Sequence, residues 1–174
     1  MTTVTVELVD ADATRAYGRA LAGVLRAGDL VVLTGDLGAG KTTLTQGIGA
    51  GLGVRGQVAS PTFIIARVHP PVAGTGAPGP ALVHVDAYRI GSLDELEALD
   101  LDTSLEDSVT VVEWGEGLVE ALAADRLEVD VHRPRGSVDD ATDPTRADVD
   151  PAGGTRTVTV RAVGDRWTGV VLPG

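Results

Sequence analysis

The 174-residue chain is long enough for one domain with a substantial core and short for two. Hydrophobic residues make up 43% and aromatics 3%, which excludes a disordered chain and leaves a core of Val, Leu, Ile and Ala. Basic residues number 14 against 25 acidic ones, and the net charge of −11 argues against unaided nucleic-acid binding and against adhesion to an anionic membrane.

In chain order, Val4 to Leu8 alternates apolar and polar residues and predicts a short strand. Asp10 or Asp12 then caps a helix that carries Tyr17, Leu21, Val24 and Leu25 on one face and ends at Gly28-Asp29. Leu30 to Leu33 is a continuous apolar run, as expected of a strand buried on both faces. A glycine-rich turn from Gly35 to Gly40 follows, and then a helix from Thr42 to Leu52 closed by Gly53. Gln57 to Val68 reads as a loop followed by a strand through Ile64-Ile65-Ala66, and His69 to Pro80 as a Pro/Gly-rich loop. Leu82 to Val85 is the next strand and ends at Asp86. Ser92-Leu93-Asp94-Glu95 fits a capping box, which predicts a short helix with Leu96 and Leu99 inward. Val109 to Val112 is another buried strand, ending at Glu113-Trp114, and a short helix is expected from Leu118 to Ala124.

The last third reads differently. Leu127 to Val131 and Val158 to Ala162 alternate, and Trp167 to Leu172 is expected to pair with the latter across Gly164-Asp165. Pro134 to Gly154 holds three Pro, three Gly and five Asp with no aromatic residue, so it predicts a mobile loop. The whole reading is a single domain, 1–174, of the α/β class: a P-loop NTPase-like, mostly parallel central sheet flanked by helices, with antiparallel C-terminal strands. The chain lacks cysteine, so disulfides, thiolate metal sites and cysteine nucleophiles are excluded. With no signal peptide and no apolar run of membrane-spanning length, a cytoplasmic protein is expected.

Gly35-Asp36-Leu37-Gly38-Ala39-Gly40-Lys41-Thr42 fits the pattern G-x-x-x-x-G-K-[ST]. The glycines let successive backbone N–H groups point at phosphate oxygens, and the following helix adds its N-terminal donors and positive dipole end. Lys41, the single lysine in a chain rich in arginine, reaches the β and γ phosphates as a point charge. The Thr42 hydroxyl is suited to Mg²⁺, which is held largely by phosphate and water.

Such a site needs acidic groups at neighbouring strand ends, and Asp86 and Glu113 are the two candidates. Either one can hold Mg²⁺ through a water or orient the attacking water; a polar residue at a strand exit is the plainer reading of each. Thr62 is either a switch element sensing the γ phosphate or part of a Ser-Pro-Thr turn. Trp114 is either core packing or a nucleotide or partner contact, and His84 is expected to face the sheet interior as a hydrogen-bonded imidazole. The guanine-reading N-K-x-D motif is impossible in a chain with no asparagine and its one lysine already used, so ATP is preferred to GTP. A small-molecule or nucleoside kinase is the alternative, with Arg133, Arg135 and Arg146 as lid arginines; a nucleotide-dependent assembly switch is a third reading.

Taken together, the phosphate loop through Thr43, Ser60-Pro61-Thr62-Phe63, His84-Val85-Asp86-Ala87-Tyr88-Arg89 and Val112-Glu113-Trp114 resemble, in that order, the bacterial TsaE family. That family supplies the ATPase subunit of tRNA threonylcarbamoyladenosine synthesis. The resemblance implies an ATP-binding and hydrolysing subunit that acts on TsaD-like and TsaB-like partners, with tRNA met only through the complex. It implies that Lys41 and Thr42 serve phosphate and Mg²⁺, and that Asp86 and Glu113 serve Mg²⁺ and hydrolysis. It further implies that Thr62 is switch-like, that Trp114 lies at the active face and that Thr14 borders the adenine. The 134–154 loop is longer than the resemblance leads one to expect.

Overall fold

The computed structural model describes residues 2–61, 66–72, 79–88, 90, 106–117, 119, 123–134 and 154–174. Seven strands form one sheet: β1 (Thr2–Leu8), β2 (Leu30–Thr34), β3 (Ala66–His69), β4 (Ala81–Asp86), β5 (Ser108–Glu113), β6 (Arg126–His132) and β7 (Arg156–Val163). The described helices are α1 (Ala11–Ala22), α2 (Lys41–Leu52) and a 3₁₀ turn at Asp165–Trp167. None is long and apolar enough to cross a membrane. The expected helix from Ser92, the residues Ile64-Ile65, most of the expected helix from Leu118 to Ala124 and nearly all of the 134–154 loop fall outside the described residues.

The strand order is β1-β7-β6-β2-β5-β4-β3. The four central strands β6, β2, β5 and β4 run parallel. β3 is antiparallel to β4 at one edge, and β7 and β1 are antiparallel additions at the other. The expected P-loop-like α/β architecture is present, with one refinement. β6 belongs to the parallel core through β2, and the antiparallel tail begins only at β7.

Side-chain alternation divides the core in two. Leu33, Leu82, Val111, Val129 and Val160 face α1 and α2, where they meet Tyr17, Leu21, Leu44 and Ile48. Leu30, Val32, Val83, Val85 and Val112 form a second cluster, together with Ile90 and Val119. Both faces of β5 are buried along its whole length, including the polar Ser108, Thr110 and Glu113. Burying a side chain such as Leu44 or Ile48 contributes about 1.5–3 kcal/mol.

Asp10 caps α1, its carboxylate accepting from the Ala13 N–H at 2.7 Å. α1 packs closely on α2 through Gly18, Gly47 and Gly51, and Gly47 illustrates why. A methyl group there would overlap the backbone carbonyl of Arg15. α1 ends at Ala22, earlier than the apolar pattern predicts. Gly23, Val24 and Leu25 instead make i→i+3 bonds to Ala20, Leu21 and Ala22, a tightened last turn that still buries Leu25.

The expected hairpin through Trp167–Leu172 does not form. β7 already has β1 on one side and β6 on the other, so it offers no free edge. Gly164, at φ 100°, turns the chain into the 3₁₀ turn. Trp167 is driven into the core, and Arg166 is held by both oxygens of buried Asp29 at 3.0 and 2.9 Å.

Candidate nucleotide site

The ends of three neighbouring parallel strands build the site. In the strand register Leu33 lies opposite Glu113, and Glu113 lies opposite Asp86. The loop leaving β2 therefore rises beside two carboxylates at the carboxyl edge of the sheet, where open α/β sheets bind ligands. A cavity of about 650 Å³ opens there, and both Asp86 and Glu113 line it. Its walls also include Gly38, Gly40, Lys41, Thr42, Thr43 and Trp114.

Gly40 begins α2 at φ 116°, a left-handed conformation that favours glycine, and gives the helix no side-chain cap. The first turn of α2, from Lys41 to Thr43, thus faces the cavity with its backbone donors and positive dipole end. Lys41 is buried and bends back on the loop. Its Nζ donates to the carbonyls of Gly35 at 2.7 Å and Asp36 at 3.0 Å. The ammonium also sits 3.9 Å from the centre of the Trp114 ring. Burial lowers the Lys41 pKa below its usual value, although the charges of Glu113, Asp86 and Asp36 act in the opposite direction.

Glu113 is buried, and its Oε1 accepts twice. Thr42 Oγ1 donates at 3.0 Å, and His84 Nε2 lies 2.8 Å away. Because it donates its hydrogen bond to Glu113, the Thr42 hydroxyl keeps its lone pairs for a cation. Asp86 is buried as well, with Oδ1 accepting from the Tyr88 N–H at 3.0 Å, so its carboxylate is fixed by the turn that follows β4. Hard oxygen donors from one hydroxyl and two carboxylates suit Mg²⁺ completed by phosphate and water.

Trp114 has φ 63°, the one positive value for a non-glycine residue among those described. This costs on the order of 1 kcal/mol and lays the ring across the end of β2, where Trp114 N–H donates to the Leu33 carbonyl. Tyr88 meets it edge-on with ring centroids 5.4 Å apart, while remaining 68% exposed. Leu37, at the tip of the loop, is 90% exposed.

The structure brings Leu37, Gly38, Gly40, Lys41, Thr42, Thr43, Asp86, Glu113 and Trp114 to the cavity. Gly35 and Asp36 contribute carbonyls to Lys41 from outside its wall, and Ala39 is buried beneath. Thr14 is not at the cavity; it is fully buried in α1, and its hydroxyl donates to the Asp10 carbonyl. Arg133 does not line the cavity either, while Thr62, Arg135 and Arg146 lie outside the described residues. The sequence reading missed Arg156. It is buried at the start of β7, and its guanidinium donates to the carbonyls of Ala39 at 3.2 Å and Gly154 at 2.7 Å, bracing the phosphate loop from below. Its signal was present: an arginine in phase with the inward residues Val158, Val160 and Ala162.

A loop from a buried parallel strand into an uncapped helix, with a lysine and two strand-end carboxylates around one cavity, defines an α/β protein of the P-loop type. A crystal structure of YdiB from Bacillus subtilis has a similar fold, with a TM-score of 0.66 at 28% identity over 96% of this chain and 90% of that one. The model of the family described as threonylcarbamoyl adenosine biosynthesis protein TsaE matches residues 8–139. The chain is 58% identical over 154 residues to the tRNA threonylcarbamoyladenosine biosynthesis protein TsaE of Streptomyces coelicolor, covering 88% of this chain and 93% of that protein. It is 49% identical over 136 residues to the Mycobacterium tuberculosis protein of the same name, covering 74% and 79%. The chain belongs to the TsaE family.

Proposed function

We propose that the chain is a Mg²⁺-dependent ATPase that serves tRNA threonylcarbamoyladenosine synthesis in the cytoplasm, hydrolysing ATP to act on a TsaD-like and TsaB-like pair. The observation that carries the ATPase reading is the contact of Thr42 with Glu113 beside Lys41 at the mouth of the uncapped helix. The names of the relatives support the pathway.

In this reading Lys41 exchanges the carbonyls of Gly35 and Asp36 for the β and γ phosphates. The loop and the first turn of α2 hold the phosphate chain with backbone N–H groups. Thr42 and Glu113 would hold Mg²⁺, which would supply neutralisation of charge developing on the phosphates. Asp86 lies one strand further on and orients the attacking water. The water oxygen bonds to the γ phosphorus as the bond to the β,γ-bridging oxygen breaks; ADP and phosphate leave, and the water's proton passes to solvent. Thr62 is the switch residue that answers to the γ phosphate, and Trp114 forms the lysine-facing wall. The chain's charge of −11 leaves the grip on tRNA to the partners.

Titration calorimetry with ATP and GTP, each with and without MgCl₂, tests the nucleotide claim. ATP binding strengthened by Mg²⁺, with GTP weaker, is the expected result. Equal affinity for both nucleotides, or no response to Mg²⁺, overturns it.

A further inference from the structure

We propose that His84 is a positioning residue that fixes the carboxylate of Glu113, so that one oxygen is spent inside the protein and the other is presented to the bound cation. The inference rests on the ATPase reading above, which assigns His84 no part.

Three observations carry it. First, placement: His84 and Asp86 are two residues apart on β4, and Val111 and Glu113 two apart on β5, all on the face toward α2. With His84 opposite Val111 in the parallel register, its ring reaches diagonally to Glu113. Second, the pattern of bonds: Nε2 of His84 and Oγ1 of Thr42 converge on the same oxygen, Oε1, at 2.8 and 3.0 Å. A carboxylate oxygen has two in-plane lone pairs, so these two contacts saturate Oε1 and set the plane of the group. Oε2 is then the atom left for the cavity.

Third, the far side of the ring: His84 is 0% exposed, and Nδ1 has no hydrogen-bond partner among the described residues. A bare ring lone pair is tolerable there, whereas a buried N–H without an acceptor is not. The geometry therefore assigns the proton to Nε2, where it donates to Glu113. A histidine that only filled core volume would have no reason to leave one nitrogen unsatisfied and aim the other at the site carboxylate. Histidine and carboxylate pairs behind metal-binding groups act in this way, and their loss weakens metal binding by about 10–100-fold.

The test compares wild type with His84→Leu, His84→Gln and Glu113→Gln. It reads the MgCl₂ concentration that half-saturates binding of a non-hydrolysable ATP analogue. His84→Leu is expected to raise that concentration about tenfold or more. His84→Gln, whose amide can donate to the same oxygen, restores it to within about threefold. In a Glu113→Gln background, adding His84→Leu has no further effect, because there is no carboxylate left to position. A second readout needs neither nucleotide nor metal: ¹⁵N–¹H spectra of the imidazoles in the free protein, where His84 carries its proton on Nε2 and its signal moves in Glu113→Gln.

A half-saturation in His84→Leu within about twofold of wild type, or a proton on Nδ1, overturns the proposal. If His84→Leu does not fold, the spectra of the wild type and Glu113→Gln decide it alone. If wild-type binding ignores Mg²⁺, the ATPase reading fails, and with it the proposal as stated. That outcome is distinct from a Mg²⁺-dependent wild type that His84→Leu leaves unchanged.

Discussion

Replacing Lys41 by methionine separates what the lysine does for the nucleotide from what it does for the fold. In the free protein its ammonium has two carbonyl acceptors, at 2.7 and 3.0 Å, and an aromatic face at 3.9 Å. Hydrogen bonds to a charged group contribute about 1.5–3 kcal/mol each, and the ring about 0.5–1 kcal/mol. Burial works against these gains: the pKa of Lys41 is lowered in spite of three nearby carboxylates, so desolvation outweighs their attraction. Burial thus offsets much of what these contacts contribute. The methionine side chain keeps the packing against Trp114, and the expected change in unfolding free energy is about 1 kcal/mol or less. Nucleotide binding loses more. Two charge-assisted contacts to phosphate disappear, about 3–6 kcal/mol gross; the carbonyl bonds that Lys41 gives up on binding offset part of this, leaving roughly 100- to 1,000-fold in Kd. Urea unfolding and ATP titration of the same preparation measure both. A destabilisation above about 3 kcal/mol, or an ATP affinity within about threefold of wild type, refutes the reasoning.

Asp86→Ala and Glu113→Ala should each reduce ATP hydrolysis about tenfold or more; wild-type turnover in either variant removes that residue from the mechanism. Gly47→Ala should destabilise the protein by about 1–2 kcal/mol in urea unfolding, because overlap with the Arg15 carbonyl outweighs the gain in helix propensity; a stabilised variant would show that α1 and α2 can move apart freely. Tyr17 lies in the core with its hydroxyl donating to the Pro173 carbonyl, and burial raises its pKa to about 12. The unfolded chain loses this proton near pH 10 while the native state keeps it, so the contribution is full below about pH 10 and is lost as pH rises toward the folded value. Unfolding free energies at pH 9 and pH 11 should therefore fall more steeply in wild type than in Tyr17→Phe; parallel slopes would show that Tyr17 does not couple to folding.

What the sequence made legible follows from how local each signal is. The apolar run of Leu30 to Leu33, the G-x-x-x-x-G-K-T loop and the helix behind it are contiguous, and their chemistry is carried by neighbours in sequence. Asp86 and Glu113 were recognisable because each ends an apolar strand, and the parallel register then sets them side by side. Most of the features that escaped depend on distant partners, and one on local backbone bonding. The placement of β7 between β1 and β6 removes the edge that Trp167–Leu172 would have needed. The end of α1 is set by i→i+3 bonds of Gly23 to Leu25, although the apolar face continues past it. Arg156 reaches the phosphate loop across 117 residues of chain; its phase with Val158 and Val160 marks it as inward but does not say what it meets.

The central claim is that this chain hydrolyses ATP in the service of partner proteins. The most direct measurement is steady-state ATP hydrolysis by the purified chain, alone and then with a TsaD-like and TsaB-like pair and tRNA. Weak turnover alone that rises in the complex, and is lost in Lys41→Ala, is the predicted result. Turnover indifferent to the partners and tRNA would contradict the account.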